Sequence, residues 1–151
     1  MATLVQRYQF NTADLGNDSS GSNLDLTNTD VTLVTDPQLG PVASFNGTTS
    51  EFSRSGTFQL FSGLTGPRTY ATWFQLTGTA NMHLFSYGDR AWSVTVRTSG
   101  VGINIRGGSS SFKGVSIALN RWYHLAVTYD GTIGTIVYLN GVSVHLSLIH
   151  I

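Results

Sequence analysis

The chain has 151 residues, 40% of them apolar and 11% charged, with eight basic and eight acidic side chains and no cysteine. That length suits one domain with a substantial core; the lack of any Lys/Arg run argues against nucleic acid or anionic membrane as partners, and the lack of thiols removes disulfide chemistry. No apolar run approaches the ~20 residues of a membrane helix, so no membrane insertion is expected; the first residues lack the apolar core of a signal peptide, so either export by that route is not expected or Met1 is not the natural start.

In chain order, residues 4–10 predict a first strand, with Val5, Tyr8 and Phe10 turned inward. Residues 11–23 are loop by composition, centred on Asn17-Asp18-Ser19-Ser20-Gly21. Short strands are expected at 31–34, 42–45 and 51–53, separated by turn signals at Asp36-Pro37 and Asn46-Gly47. Residues 58–66 are a weakly patterned connection with at most one helical turn. A strand at 70–76 carries Trp73 and Phe74. Residues 82–87 and 92–97 predict a hairpin about Gly88-Asp89-Arg90, and residues 101–106 and 112–117 two strands around Gly107-Gly108-Ser109. No segment sustains a 3.6-residue period with caps. Many short strands with Gly-rich turns indicate a β-sandwich or barrel.

The last third is the most informative. Tyr123, Leu125, Val127 and Tyr129 alternate as in a half-buried strand, Asp130-Gly131-Thr132-Ile133-Gly134 forms a loop, and residues 135–139 run into Asn140-Gly141, the strongest short hairpin signal. With tight turns, register follows by counting. Tyr129 faces Thr135, Val127 faces Val137, Leu125 faces Leu139, Leu139 faces Val142 and Val137 faces Val144. One face of a three-stranded meander is then consistently apolar. The other carries Trp122, His124, Ala126, Thr128, Ile136, Tyr138, Asn140, Ser143 and His145, a mixture suited to stacking on a sugar or to ordinary cover of a sheet surface.

Catalysis is not expected. A glycosidase needs two carboxylates facing each other across a cleft, ~5 to ~9.5 Å apart. The chain has one glutamate, Glu51, and its aspartates mostly sit in turn contexts. There is no Gly-x-Ser-x-Gly elbow, and the four histidines do not cluster as zinc ligands. Tyr87-Gly-Asp89-Arg90-Ala-Trp92 groups a carboxylate, a guanidinium and two aromatics on one turn, so Tyr87, Asp89, Arg90 and Trp92 are the candidate ligand-binding set. The competing reading puts Trp92 in the core and leaves Asp89-Arg90 as a solvated tip.

The order of Tyr8-Gln-Phe10, Asn17-Asp-Ser-Ser-Gly21, Ala43-Ser-Phe-Asn-Gly47, the Trp73 strand, Trp122-Tyr-His-Leu-Ala-Val-Thr-Tyr-Asp-Gly131 and Tyr138-Leu-Asn-Gly141 resembles the laminin G-like domains of the concanavalin A-like lectin/glucanase superfamily. The resemblance implies an all-β, concanavalin A-like jelly-roll sandwich of two antiparallel sheets, found as a module in secreted, cell-surface, adhesin-like or phage-structural proteins. It implies a non-catalytic recognition module for glycan or protein ligands, often assisted by calcium. Asp14, Asn17 and Asp18 are the candidate calcium ligands, since that loop offers several hard oxygen donors; an ordinary Asx-turn loop is the alternative.

Family members continue beyond the Asn-Gly hairpin to a Gly-x-Ile-Asp-type strand beside the first, so the last strands are expected to be missing, by roughly thirty residues on that comparison. The composition of residues 146–151 departs from the rest of the chain, and they are expected to be a non-native, adapter-derived tail on a domain spanning 1–145. A natural strand is the alternative, because Val142, Val144, Leu146 and Leu148 keep the alternation. The expected open edge favours self-association through strand pairing. A structural or assembly jelly roll with no small ligand is the second function class.

Overall fold

A computed structural model describes residues 6–10, 14–56, 66–88, 92–105, 111–131 and 134–148. Among them there are twelve strands and no helix. The chain divides into two compact units, Met1–Leu60 and Phe61–Ile151.

The first unit contains β1 (Thr27–Thr29), β2 (Thr32–Asp36), β3 (Gly40–Ser44) and β4 (Glu51–Ser53). They form two antiparallel ladders, β1 with β4 and β2 with β3. Short side chains build the turns. Asp36 Oδ1 accepts the N–H groups of Gln38 and Leu39 and so folds the β2–β3 hairpin, while Asn46 Oδ1 accepts those of Thr48, Thr49 and Ser50. The first strand expected from sequence is not formed over residues 6–10, whose one ladder contact is the isolated bridge between Tyr8 and Asp18; residues 1–5 lie outside the described chain. Phe10 is half-buried and stacks on Phe52 at 5.5 Å, with Phe45 edge-on to Phe52 at 5.6 Å.

The second unit is a sandwich of two four-stranded antiparallel sheets. One has the order β12-β11-β10-β5, from β5 (Arg68–Gln75), β10 (Trp122–Tyr129), β11 (Gly134–Leu139) and β12 (Val142–Leu148). The other is the meander β6-β7-β8-β9, from β6 (Met82–Tyr87), β7 (Trp92–Arg97), β8 (Gly100–Ile105) and β9 (Ser111–Lys113). Phe74, Leu125, Val127, Val137 and Leu139 of the first sheet meet Trp92, Val94, Val96 and Val101 of the second in one core. The alternation of apolar residues along each strand is what permits this: every second side chain turns inward, and burying each large one contributes about 1.5–3 kcal/mol.

The meander forms with the register obtained by counting. Tyr129 pairs with Thr135, Val127 with Val137, Leu125 with Leu139, and Leu139 with Val142. Asn140 and Gly141 have φ of 51° and 79°, as a type I′ turn requires. The expected pairing of Val137 with Val144 is corrected. A bulge at Val137/Tyr138 inserts one residue, so Tyr138 pairs with Ser143 and Val137 with His145, which corrects the expected placement of His145 in the register of the outer-face row. Beyond it Leu146, Ser147 and Leu148 pair with Ile136, Thr135 and Gly134.

The strand β5 joins this sheet from far away in sequence, antiparallel to β10 over eight residues, from Arg68 opposite Tyr129 to Gln75 opposite Trp122. The link into β10 is pinned by three hydrogen bonds: Ile117 N–H to Thr98 O at 2.9 Å, Asn120 N–H to Leu76 O at 2.8 Å, and Ala118 N–H to the Tyr123 hydroxyl at 3.0 Å. β10 is thereby held as one of the two inner strands of its sheet, between β11 and β5.

Candidate functional site

The outer face of the β12-β11-β10-β5 sheet carries the most prominent candidate site. Since Tyr70, Thr72 and Phe74 of β5 point inward, Thr69, Ala71 and Trp73 point out, and all three are exposed. On β10 the outward set is Trp122, His124, Ala126 and Thr128, each half-buried. The register aligns these positions in rows across the sheet. Trp73 is opposite His124, with ring centroids 5.2 Å apart and planes at 59°. In the next row Ala71 is opposite Ala126, which is opposite Tyr138. In the third, Thr69 is opposite Thr128, which is opposite Ile136.

Rows on one face are spaced about 6.6–6.8 Å apart and strands about 4.8 Å. Two adjacent alanines between a row of rings and a row of threonines therefore leave a low floor, walled by Trp73 and His124 and closed at β11 by Tyr138. Trp73 is 56% exposed, an uncommon position for an indole in a folded domain. His124 is fixed from behind, its N–H donating to Asn140 Oδ1 at 2.9 Å and its carbonyl accepting from Asn140 N–H at 2.8 Å. The sequence had placed His124, Ala126 and Tyr138 on this face but had not joined Trp73 to it.

The residues singled out on the β6–β7 hairpin fall elsewhere. Asp89 and Arg90 lie outside the described residues. Tyr87 is half-buried and opposite Trp92 in the ladder. Trp92 is 1% exposed in the core, edge-on to Phe85 at 5.1 Å and under the Arg68 guanidinium at 5.1 Å, which leaves no ring face for a ligand from solvent. The indole is taken up by packing, as the competing reading of this turn had it, and the ligand role of Trp92 is corrected.

In the first unit, Asp18 is 7% exposed and its carboxylate is saturated. Oδ1 accepts the N–H groups of Arg7 at 3.0 Å and Ser20 at 2.9 Å; Oδ2 accepts the Ser20 hydroxyl at 2.9 Å and Leu24 N–H at 3.1 Å. Burial pushes its pKa up, but these donors outweigh burial and hold it below the ordinary value of 3.8. Four donors fill the four lone-pair directions of a carboxylate, so Asp18 does not fit a calcium ligand without losing them. Asp14 and Asn17 are exposed on the same loop. Among the described residues no three His, Cys, Asp or Glu side chains are grouped as metal ligands. Beside Asp18, Tyr8 donates its hydroxyl to Leu24 O at 2.7 Å, and burial, followed by the charge of Asp18, pushes its pKa up to about 12.

These features define an all-β sandwich of the lectin-like class, with its aromatic residues divided between the core and an open sheet face. The family model described as concanavalin A-like lectin/glucanases superfamily, of laminin G type, matches residues 46–147, more than half of the chain, and the chain belongs to that family. Domains of this type serve in general as non-catalytic binding modules, although the superfamily also contains glycosidases. No curated protein matches the chain.

Proposed function

We propose that the domain is a glycan-recognition module that binds through the outer face of the β12-β11-β10-β5 sheet. The observation that carries the reading is the exposed Trp73 ring beside the Ala71–Ala126 floor. A pyranose presents a C–H face edged with hydroxyls; an indole covers the former, and neighbouring threonines and ring nitrogens can bond the latter. The sheet supplies rigidity, since Trp73 and His124 sit within an eight-residue ladder rather than on loops. The lack of Asp and Glu at the outward positions of β5, β10 and β11 supports binding without hydrolysis at this face.

The test is affinity electrophoresis and resin retention on a panel of polysaccharides, comparing the native chain with Trp73→Ala. Retention by the native chain that falls about tenfold or more in the variant is expected, as for a central aromatic contact. Native and variant chains that pass every matrix alike would overturn the reading and favour a structural or assembly role.

A further inference from the structure

The charge of the face decides which sugars it takes. The outward positions of β5, β10 and β11 carry no Lys, Arg, Asp or Glu. Two arginines do belong to this sheet or its approach, and each holds its guanidinium against an inward-facing ring, Arg68 buried and Arg121 exposed. Arg68, in β5, is 6% exposed, with its guanidinium 5.1 Å from the Trp92 ring and 4.7 Å from the Tyr129 ring. Arg121, just before β10, holds its guanidinium 5.6 Å over the ring of Tyr123, which is a core residue.

A guanidinium is the side chain best shaped for sulfate, phosphate or carboxylate groups, which it grips with two parallel hydrogen bonds. A surface that recognised sulfated or uronic-acid sugars would present it. Here Arg68 is buried and Arg121, although exposed, lies against the ring of Tyr123, and the groups left around the floor are the hydroxyls of Thr69, Thr128 and Tyr138 and the ring of His124. An anionic sugar brought onto this face would give up water for no compensating charge, whereas a neutral one exchanges water for stacking and hydroxyl contacts.

From this juxtaposition, and resting on the glycan-recognition reading above, we infer that the ligand is a neutral hexose-type glycan. One ring lies on the Ala71–Ala126 floor against Trp73, with its hydroxyls toward Thr69 and Thr128. Binding of this kind is driven by stacking and short hydrogen bonds, so it is nearly indifferent to salt.

The experiment titrates the full chain by calorimetry at neutral pH with neutral gluco-, galacto- and manno-oligosaccharides and, separately, with heparin and polygalacturonate fragments. Each titration is done at about 50 mM and about 500 mM NaCl, on either side of strong screening. The expected result is binding to a neutral series, changing less than about twofold with salt and lost about tenfold or more in Trp73→Ala. Circular dichroism of the variant confirms that it is folded. Binding confined to the anionic probes, weakened by salt and lost in Trp73→Ala, overturns the neutral assignment and leaves glycan recognition at this face standing. Binding to neither series, or neutral binding unchanged in Trp73→Ala and in Thr128→Val, overturns the assignment together with the reading it rests on.

Discussion

Asp18 Oδ1 accepts the backbone N–H of Arg7 at 3.0 Å, eleven residues earlier in the chain, while Oδ2 accepts that of Leu24 at 3.1 Å, six residues later. One side chain thus ties the segment before the loop to the segment after it. Ser19 adds two bonds to the Arg7 carbonyl, at 2.8 Å from its N–H and 3.0 Å from its hydroxyl.

Stability is therefore expected to depend on pH through this carboxylate. The pKa of Asp18 is lower in the folded chain than its ordinary value of 3.8. The stabilisation is complete above that value and is lost as pH falls through the depressed folded value, because the unfolded chain then takes up the proton more readily. Tyr8 acts at the other end: its folded pKa of about 12 is raised from 10.0, so its contribution is complete below pH 10.0 and lost as pH rises toward 12. Urea denaturation across pH should show an acid limb that flattens in Asp18→Asn, at a cost of about 1–3 kcal/mol near neutrality. An unchanged acid limb would assign it to other carboxylates.

Core and platform should respond differently to truncation. Leu125 is 0% exposed at the centre of the sandwich, so Leu125→Ala is expected to cost about 2–5 kcal/mol. Trp73→Ala removes a larger side chain from an exposed position and should cost about 1 kcal/mol or less. Equal losses in chemical denaturation would mean that the Trp73 face is covered rather than open.

Two glycines offer a sharper comparison. A Cβ at Gly16 would run into the backbone carbonyl of Leu26, the residue whose N–H already bonds Gly16 O at 2.9 Å. At Gly78 an added Cβ meets nothing within 4 Å. Gly16→Ala should destabilise by about 1–3 kcal/mol, while Gly78→Ala should be neutral or stabilise by up to about 1 kcal/mol. Thermal melting of both variants decides it, and a tolerated Gly16→Ala would show that the two segments can separate.

Thr135 is 1% exposed, and its hydroxyl oxygen has no hydrogen-bond partner among the described residues. Burying such a hydroxyl unpaired costs about 1–3 kcal/mol. Thr135→Val keeps the shape and removes the polar atom, so stability is expected to rise by about 1 kcal/mol. A fall in melting temperature would mean that the hydroxyl has an acceptor in solution.

The meander was legible because two independent signals coincided. Strand alternation set which residues face inward, and the Asn140-Gly141 turn set the count between strands. The bulge was hidden, since neither signal says that one residue of β12 will have no partner. Likewise β1 escaped notice, because Thr27-Asn28-Thr29 has no apolar residue to alternate. The platform was half legible. Period 2 put His124 and Tyr138 on one face and would have put Trp73 outward on β5, but the β5–β10 pairing is non-local and no short-range pattern encodes it. Trp92 was open to two readings, a ligand contact beside the hairpin tip or a core residue, and the sequence could not choose between them because Phe85 and Arg68, which pack around it, are brought there by the fold.

The hydrogen bonds between Asn140 and His124 also bear on how the protein ages. Asparagine is thermolabile, and when glycine follows, its side-chain amide is especially open to attack by the next backbone nitrogen. Here Asn140 precedes Gly141, but its Oδ1 is held by His124 N–H at 2.9 Å, so the folded hairpin restrains that attack. Each transient opening removes the restraint. Peptide mapping of stored samples should therefore show deamidation at Asn140 rising with conditions that loosen the β11–β12 hairpin, so this turn records the chain's history of opening.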